Sequence, residues 1–302
     1  MNKIPNLDDL RVFCVVARKA SFSAAAEELS ASPAYVSKRV SILETDLGGT
    51  RLLHRSTRRV GVTEAGERVY EWANKILDDV DHLVEDVSTT RRLPRGTLRV
   101  SSSFGFGRHI VAPALSRLNE RYPQLTVRLD LFDRLVDVGG EGFDLDIRIG
   151  DEIAPHLIAR RLASNHRVLC ASPQYLTQHG SPRQIADLST HQCLAIKERD
   201  HPFGIWRLSE RGTMNSVKVT GPLSTNHGEV AVQWALAGRG IVLRSMWNVR
   251  EHLEAGRLRL VLPDVTQPAN VWAVYPARLA SSAKVRVCVD FLTEEFSVQT
   301  FE

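Results

Sequence analysis

The sequence predicts a small helical unit closed by a two-stranded ribbon, then one long helix, then a larger α/β unit. Three observations carry that expectation. Apolar residues recur at helical spacing in three short segments between residues 7 and 47, and a longer stripe alternating in threes and fours runs from Val69 to Val87. From Thr97 onward, short β-rich runs alternate with helical patterns. With 302 residues, 43 % apolar and 25 % charged, the chain has material for about two domains.

Leu7, Leu10, Phe13, Val16 and Ala17 define the first helix, and Phe22, Ala25, Ala26 and Leu29 the second, with Ser21 placed to cap it. Ser30-Ala31-Ser32-Pro33 is a turn ending in an N-cap serine and a proline suited to the first helical position. Val36, Val40, Leu43 and Leu47 then form the buried stripe of a third helix, which Gly48-Gly49 ends. Residues 52–55 and 58–62 are two short strands around Ser56-Thr57, a wing beside the third helix. Thr63 caps a helix with Glu64 and Glu67 in its first turn and Val69, Trp72, Ala73, Ile76, Leu77, Val80, Leu83, Val84 and Val87 along one face. Such a stripe suits pairing with a second copy of itself, the alternative being a seat against its own C-terminal unit. Pro94 and Gly96 mark a hinge. Strands are expected at 97–101, 126–132, 145–149, 167–171, 193–197, 216–220, 240–244 and 271–275, with helices near 111–122 and 229–237.

The net charge of +4 is unevenly placed. Residues 1–62 hold ten Lys and Arg against six Asp and Glu, whereas the other 240 residues hold 29 of each. The excess positive charge therefore lies in the first fifth of the chain, as a phosphate-binding surface requires. Cys14, Cys170, Cys193 and Cys288 stand singly on apolar stretches with no metal-ligand spacing, so they read as reduced core thiols. No run of 18 apolar residues and no apolar signal core is present, which predicts a cytoplasmic protein with no membrane partner, metal or cofactor.

With its apolar stripe turned inward, the third helix presents Tyr35, Lys38, Arg39 and Ile42 outward, cations that suit a major groove. A merely solvated basic face is the competing reading. Ser32, Pro33, Ala34 and Ser37 complete the candidate interface, and Arg55, Arg58 and Arg59 extend it into the wing.

The segments Ala24 to Leu29, Val36-Ser37-Lys38-Arg39-Val40, Leu43-Glu44, Leu47-Gly48, Leu53-His54-Arg55 and Val62-Thr63-Glu64-Ala65-Gly66 resemble the LysR-type regulators. The similarity continues through Gly96 to Val100, Tyr122-Pro123, Leu145 to Gly150, Ala171-Ser172-Pro173 and Gly238-Arg239-Gly240-Ile241. Tyr35 departs from the family pattern and bears on which bases are read. The resemblance implies a winged helix-turn-helix over 1–62, a linker helix over 63–92 and an effector-binding domain over 93–302, folded as two lobes like a periplasmic binding protein. Lobe I would take 93–165 and 268–302, and lobe II 166–267. It further implies a dimer, usually built into a tetramer, a small effector between the lobes, double-stranded promoter DNA as partner, and RNA polymerase if the protein activates. Val36 to Arg39, Ile196 to Gly204 and Pro268 to Trp272 resemble the subgroup that governs use of malate- and tartrate-like dicarboxylates.

Ser102 and Ser103, with Phe104 beside them, stand where a strand gives way to a helix, so backbone N–H groups and hydroxyls form an anion site there, unless the serines simply cap the helix. By resemblance, Ser102, Ser103, Arg148, Lys197, Asn226, His227 and Arg244 contact the effector, a carboxylic or hydroxy-dicarboxylic acid. Arg148 equally suits a lock through Asp144 or Asp146. Two other functions compete with this one. Gly105-x-Gly107-x-x-Ile110 with Asp130 approximates a dinucleotide fingerprint but lacks its third glycine, and no nucleophile elbow or phosphate loop occurs, so an enzyme is not expected. A DNA-packaging protein would not need some 200 residues of charge-balanced α/β domain.

Overall fold

Asn6 opens the first helix by accepting a hydrogen bond from the Asp8 N–H at 2.9 Å. That helix, α1 (Leu7–Lys19), ends at Ala20 in the left-handed region, φ 51°. Ser21 then caps α2 (Phe22–Glu28), and Ser32, accepting from the Tyr35 N–H at 3.2 Å, caps α3 (Pro33–Asp46). Phe13, Val16, Ala25, Ala26, Val36, Val40 and Leu43 are buried together as the core of these three helices. The computed structural model describes residues 4–55, 60–87, 94–197 and 203–298. It divides into two units, Met1–Arg91 and Arg92–Glu302.

The wing strands β1 (Leu53–Arg55) and β2 (Val60–Val62) pair antiparallel, Leu53 opposite Val62. The Glu44 carboxylate accepts from the Leu52 N–H at 2.9 Å, which ties the wing to α3. The 24-residue helix α4 (Glu64–Val87) follows at once. Thr63 makes the junction: its N–H donates to the Leu52 carbonyl (2.9 Å), its hydroxyl donates to the Arg51 carbonyl (2.8 Å), and the same oxygen accepts from the Gly66 N–H (2.9 Å). A Cβ on Gly66 would run into the Leu52 carbonyl oxygen, so only glycine lets α4 lie this close to the wing.

The second unit begins with β3 (Gly96–Ser102) and a continuous helical run made of the single turn α5 (Phe104–Phe106), a π segment over Gly107–Val111, and α6 (Ala112–Arg121). Then come β4 (Leu125–Leu131), β5 (Leu145–Ile149) and β6 (Leu157–Ala163). The chain next builds β7 (His166–Ala171), α7 (Pro173–His179), β8 (Ala195–Ile196), β9 (Ile205–Glu210), β10 (Thr213–Lys218) and β11 (Ser224–Thr225). It closes with α8 (Gly228–Leu236), β12 (Val242–Ser245), α9 (Met246–Glu254), β13 (Arg259–Pro268), β14 (Val271–Pro276) and α10 (Ala283–Val298).

Two five-stranded sheets make two lobes. Lobe I has the order β4-β3-β5-β14-β6, with β4, β3 and β5 parallel, and it encloses Leu98, Val100, Leu118, Ile147 and Leu292. Lobe II has the antiparallel order β10-β9-β13-β7-β12, with separate apolar layers around Leu169 and Leu208 on one side and Cys170 and Val232 on the other. Among the described residues the chain passes between the lobes twice, at 164–165 and 269–270. Asn165 joins the two passages: its side-chain amide donates to the Ala269 carbonyl at 2.7 Å, while the Ala269 N–H returns a bond to its carbonyl.

Four strands lie outside the expected set, one of them the two-residue β11, too short to show any alternation. β6 is an edge strand carrying exposed Arg160 and Arg161, which hides its alternation. The irregular β13 contains Pro263, Leu262 at φ 50° and a register break, all signals that read as a loop. β9 does alternate, burying Trp206 and Leu208, and its period-2 pattern was open to reading. Replacing Gly66 by Ala should lower stability by about 1–3 kcal/mol through overpacking at the α4 junction. An unchanged denaturant midpoint would contradict the tight junction.

Candidate functional site

The outward side of α3 shows which of the expected DNA contacts the fold makes available. Ser32, Pro33, Ala34, Tyr35 and Lys38 are exposed, Tyr35 by 47 % of its surface. Ser37 and Ile42 are half-buried, and Ser41, overlooked from sequence, donates its hydroxyl to the Ser37 carbonyl at 2.9 Å. Arg39 departs from expectation. At 100° per residue it falls on the flank of α3, not opposite the stripe, and it is ion-paired with buried Asp9 of α1. Arg55 closes β1, and Arg58 and Arg59 lie outside the described residues. Asp9 was missed, although an acidic residue on the stripe shared by Val12, Phe13 and Val16 was the signal.

In the second unit a pocket of about 60 Å³ opens between the lobes. Ser103, Phe106 and Asp133 line it from lobe I, and Arg167, Asn226, Glu229, Arg244 and Trp247 from lobe II. Three helical N-termini meet there: α5, whose Phe104 N–H donates to the Asp133 carboxylate at 3.3 Å, and α8 and α9, which follow His227 and Ser245 without a side-chain cap bond. Asn6, Ser21, Ser32 and Ser172 do cap their helices elsewhere. The uncapped starts of α8 and α9 and the two arginines favour an anion at this pocket, whose lining they share with the carboxylates of Asp133 and Glu229. A Cβ on Gly228 would occupy the space of the Arg244 guanidinium, so this glycine lets that cation lie against the start of α8. Arg244 Nε also donates to Asn248 at 3.0 Å. The buried His227 Nδ1 and Trp247 Nε1 have no hydrogen-bond partner among the described residues.

The segment from Ser103 to His109 spans the pocket mouth. Arg108 Nη2 donates to both oxygens of Glu229 at 2.9 Å, and His109 Nε2 lies 2.7 Å from Glu229 Oε1. The Phe104 and His227 rings stand 5.5 Å apart, and Phe106 meets Trp247 edge-on at 5.4 Å. Asn226, Arg244 and Ser103 thus come together at the pocket, while His227 and Phe104 pack on each other outside its lining.

The other expected contacts have structural duties. Ser102 is buried and donates to the Ile147 carbonyl at 2.7 Å, because alternation along β3 turns it into the sheet interior. Arg148 is 4 % exposed and donates to Asp146 at 2.6 Å, while Asp146 also accepts from Ser101 at 2.8 Å. It is the lock through Asp146. Lys197 is exposed, with its backbone N–H bonded to the Thr225 carbonyl. Arg167, Asp133, Glu229 and Trp247 were not anticipated, since they converge only through the crossing of the lobes.

Residues 7–67 match the family model described as a bacterial regulatory helix-turn-helix protein of the lysR family, and residues 91–297 match the LysR substrate binding domain. The chain is a LysR-type regulator. It is 59 % identical to the HTH-type transcriptional regulator DmlR of Escherichia coli K12 over 98 % of this chain and 96 % of that one. It is 49 % identical to the HTH-type transcriptional activator TtdR of the same strain, over 97 % and 94 %. Among solved structures it is similar to CrgA, a LysR-type transcriptional regulator from Neisseria meningitidis, with TM-score 0.58, 32 % identity, and 96 % and 98 % coverage. Similarity to the Vibrio cholerae virulence activator AphB is comparable, with TM-score 0.58, 28 % identity, and 96 % and 99 % coverage.

As a LysR-type regulator the chain pairs a DNA-binding unit with an effector-binding domain, and its relatives are transcriptional regulators, not enzymes. One glycine of the segment that resembled a dinucleotide fingerprint has a packing reason: a Cβ on Gly107 would collide with Leu131 of β4. No helix of the described residues is long and apolar enough to cross a membrane. Replacing Arg148 by Met should cost about 3–5 kcal/mol, because Asp146 would be left buried without its counter-charge. Wild-type stability in this variant, measured by denaturant titration, would show that Asp146 needs no partner.

Proposed function

We propose that this regulator binds a small hydroxy-carboxylate anion between its lobes and that occupancy of the pocket alters its grip on promoter DNA. The observation that carries the reading is the meeting of Arg167, Arg244 and the uncapped N-termini of α8 and α9 at one pocket. The small volume favours a ligand of few heavy atoms. Likeness to the dicarboxylate-governing subgroup, and strong identity to DmlR and TtdR, point to malate- or tartrate-like acids. In this reading Ser103, Asn226 and Arg244 hold the acid with Arg167, while Trp247 offers it an N–H with no partner among the described residues.

The lobes would respond through Glu229. It lines the pocket and holds Arg108 and His109 of the other lobe, so an anion that recruits the pocket cations alters the balance of charge at this latch. Trp72, Ile76, Leu83 and Val84 are exposed along α4, and a groove of about 700 Å³ beside it is lined by Ile4, Leu7, Leu10 and Val69. We read that face as the pairing surface of a dimer.

The function is tested by salt-titrated binding to the DNA upstream of the protein's own gene, with and without malate, tartrate and succinate. Salt-sensitive binding that one hydroxy acid changes supports the reading, and indifference to all three acids counts against it. Lys38→Ala should weaken binding and flatten the slope of log K against log salt by about one unit. Arg244→Gln should abolish the ligand-induced rise in melting temperature while leaving DNA affinity without ligand within twofold. A retained rise would remove Arg244 from the site.

A further inference from the structure

Asp9 lies where an apolar residue would complete the stripe of α1. It is 1 % exposed, among Val12, Phe13 and Val16, yet it carries a carboxylate, and its counter-ion is Arg39 of α3. Burial pushes the Asp9 carboxyl above the usual carboxylate range, Arg39 draws it back only in part, and Asp46 and Asp8 add to the rise. The folded state therefore holds this proton more tightly than the unfolded chain, and stability falls as pH rises across the interval between the two values. At neutral pH the buried pair costs stability that a leucine and a methionine in the same places would not.

What the pair supplies is direction. Apolar contacts between two helices tolerate sliding and rotation, whereas a buried carboxylate and guanidinium are satisfied at one register only. Arg39 sits one residue beyond Lys38 and one turn beyond Tyr35, so the register it fixes is the register of the outward face. Its side chain is 22 % exposed, and its charge is countered by Asp9.

We propose that Asp9 is a positioning residue for DNA reading: by clamping Arg39 it fixes α3 against α1 and thereby sets how Ala34, Tyr35 and Lys38 meet the bases. Arg39 is consequently not one of the cations that neutralise phosphates, and Lys38 is the cation of α3 that does.

The test uses the full-length protein and two duplexes, one selected by the wild type from a random library and one scrambled at the same length. Asp9→Leu/Arg39→Met should keep or raise the melting temperature, yet its ratio of selected to scrambled affinity should fall tenfold or more. A structural role alone would move the melting temperature and leave that ratio unchanged. Asp9→Asn serves as the second variant: releasing the Arg39 charge should raise affinity for the scrambled duplex and steepen its salt slope by about one unit. A ratio within threefold of wild type in either folded variant overturns the proposal, as does an unaltered salt slope in Asp9→Asn.

Discussion

Asn165 bonds both passages between the lobes of the effector domain, and it also donates to the Ser245 hydroxyl at 3.2 Å. Ser245 ends β12 and precedes α9, whose N-terminus faces the pocket. One buried amide thus fixes the passages and the start of a pocket helix together. Away from this junction the lobes, with separate sheets and separate cores, meet through side chains such as Glu229 with Arg108 and Phe106 with Trp247. Arg167, two residues on, and Arg244, one before Ser245, reach the pocket because this junction holds their strands side by side.

Buried carboxylates recur as fixings in both units. Asp144 accepts from the Arg99 N–H at 2.8 Å and lies 3.2 Å from Lys284, which donates to the Thr97 carbonyl at 2.6 Å, so β3 and α10 are held by one acid and one base. Asp146 does the same for Ser101 and Arg148 across β3 and β5. Asp9 performs this service between helices. Each pair is less stabilising than an apolar contact, and each specifies one arrangement of elements that apolar packing would leave approximate.

The helical stripes, Ser21 and Ser32 as caps, the Gly48-Gly49 stop and the long α4 were legible because local periodicity and capping chemistry act within a few residues. The parallel strands of lobe I were legible for the same reason. Strands β6 and β13 were not, since edge exposure and a broken register remove the alternation on which such reading depends. At the site, Asn226, His227 and Arg244 were reached by resemblance, whereas the burial of Ser102 shows only in the sheet, which decides which way a serine at the end of β3 turns. The surroundings of Arg39 were hidden for a related reason. About 100° around α3 separates exposed Lys38 from Arg39, and the acid that Arg39 meets lies thirty residues earlier.

All four cysteines are buried. Burial raises the thiols of Cys170 and Cys193 to about 12 and that of Cys288 higher still. At pH 7 only about one in 10⁵ of the Cys170 or Cys193 thiols is then ionised, and thiolate is the form that attacks peroxides and disulfides. In the proposed reading, a regulator whose Cys170, Cys193 and Cys288 thiols stay protonated takes its signal from what enters its pocket and not from these thiols.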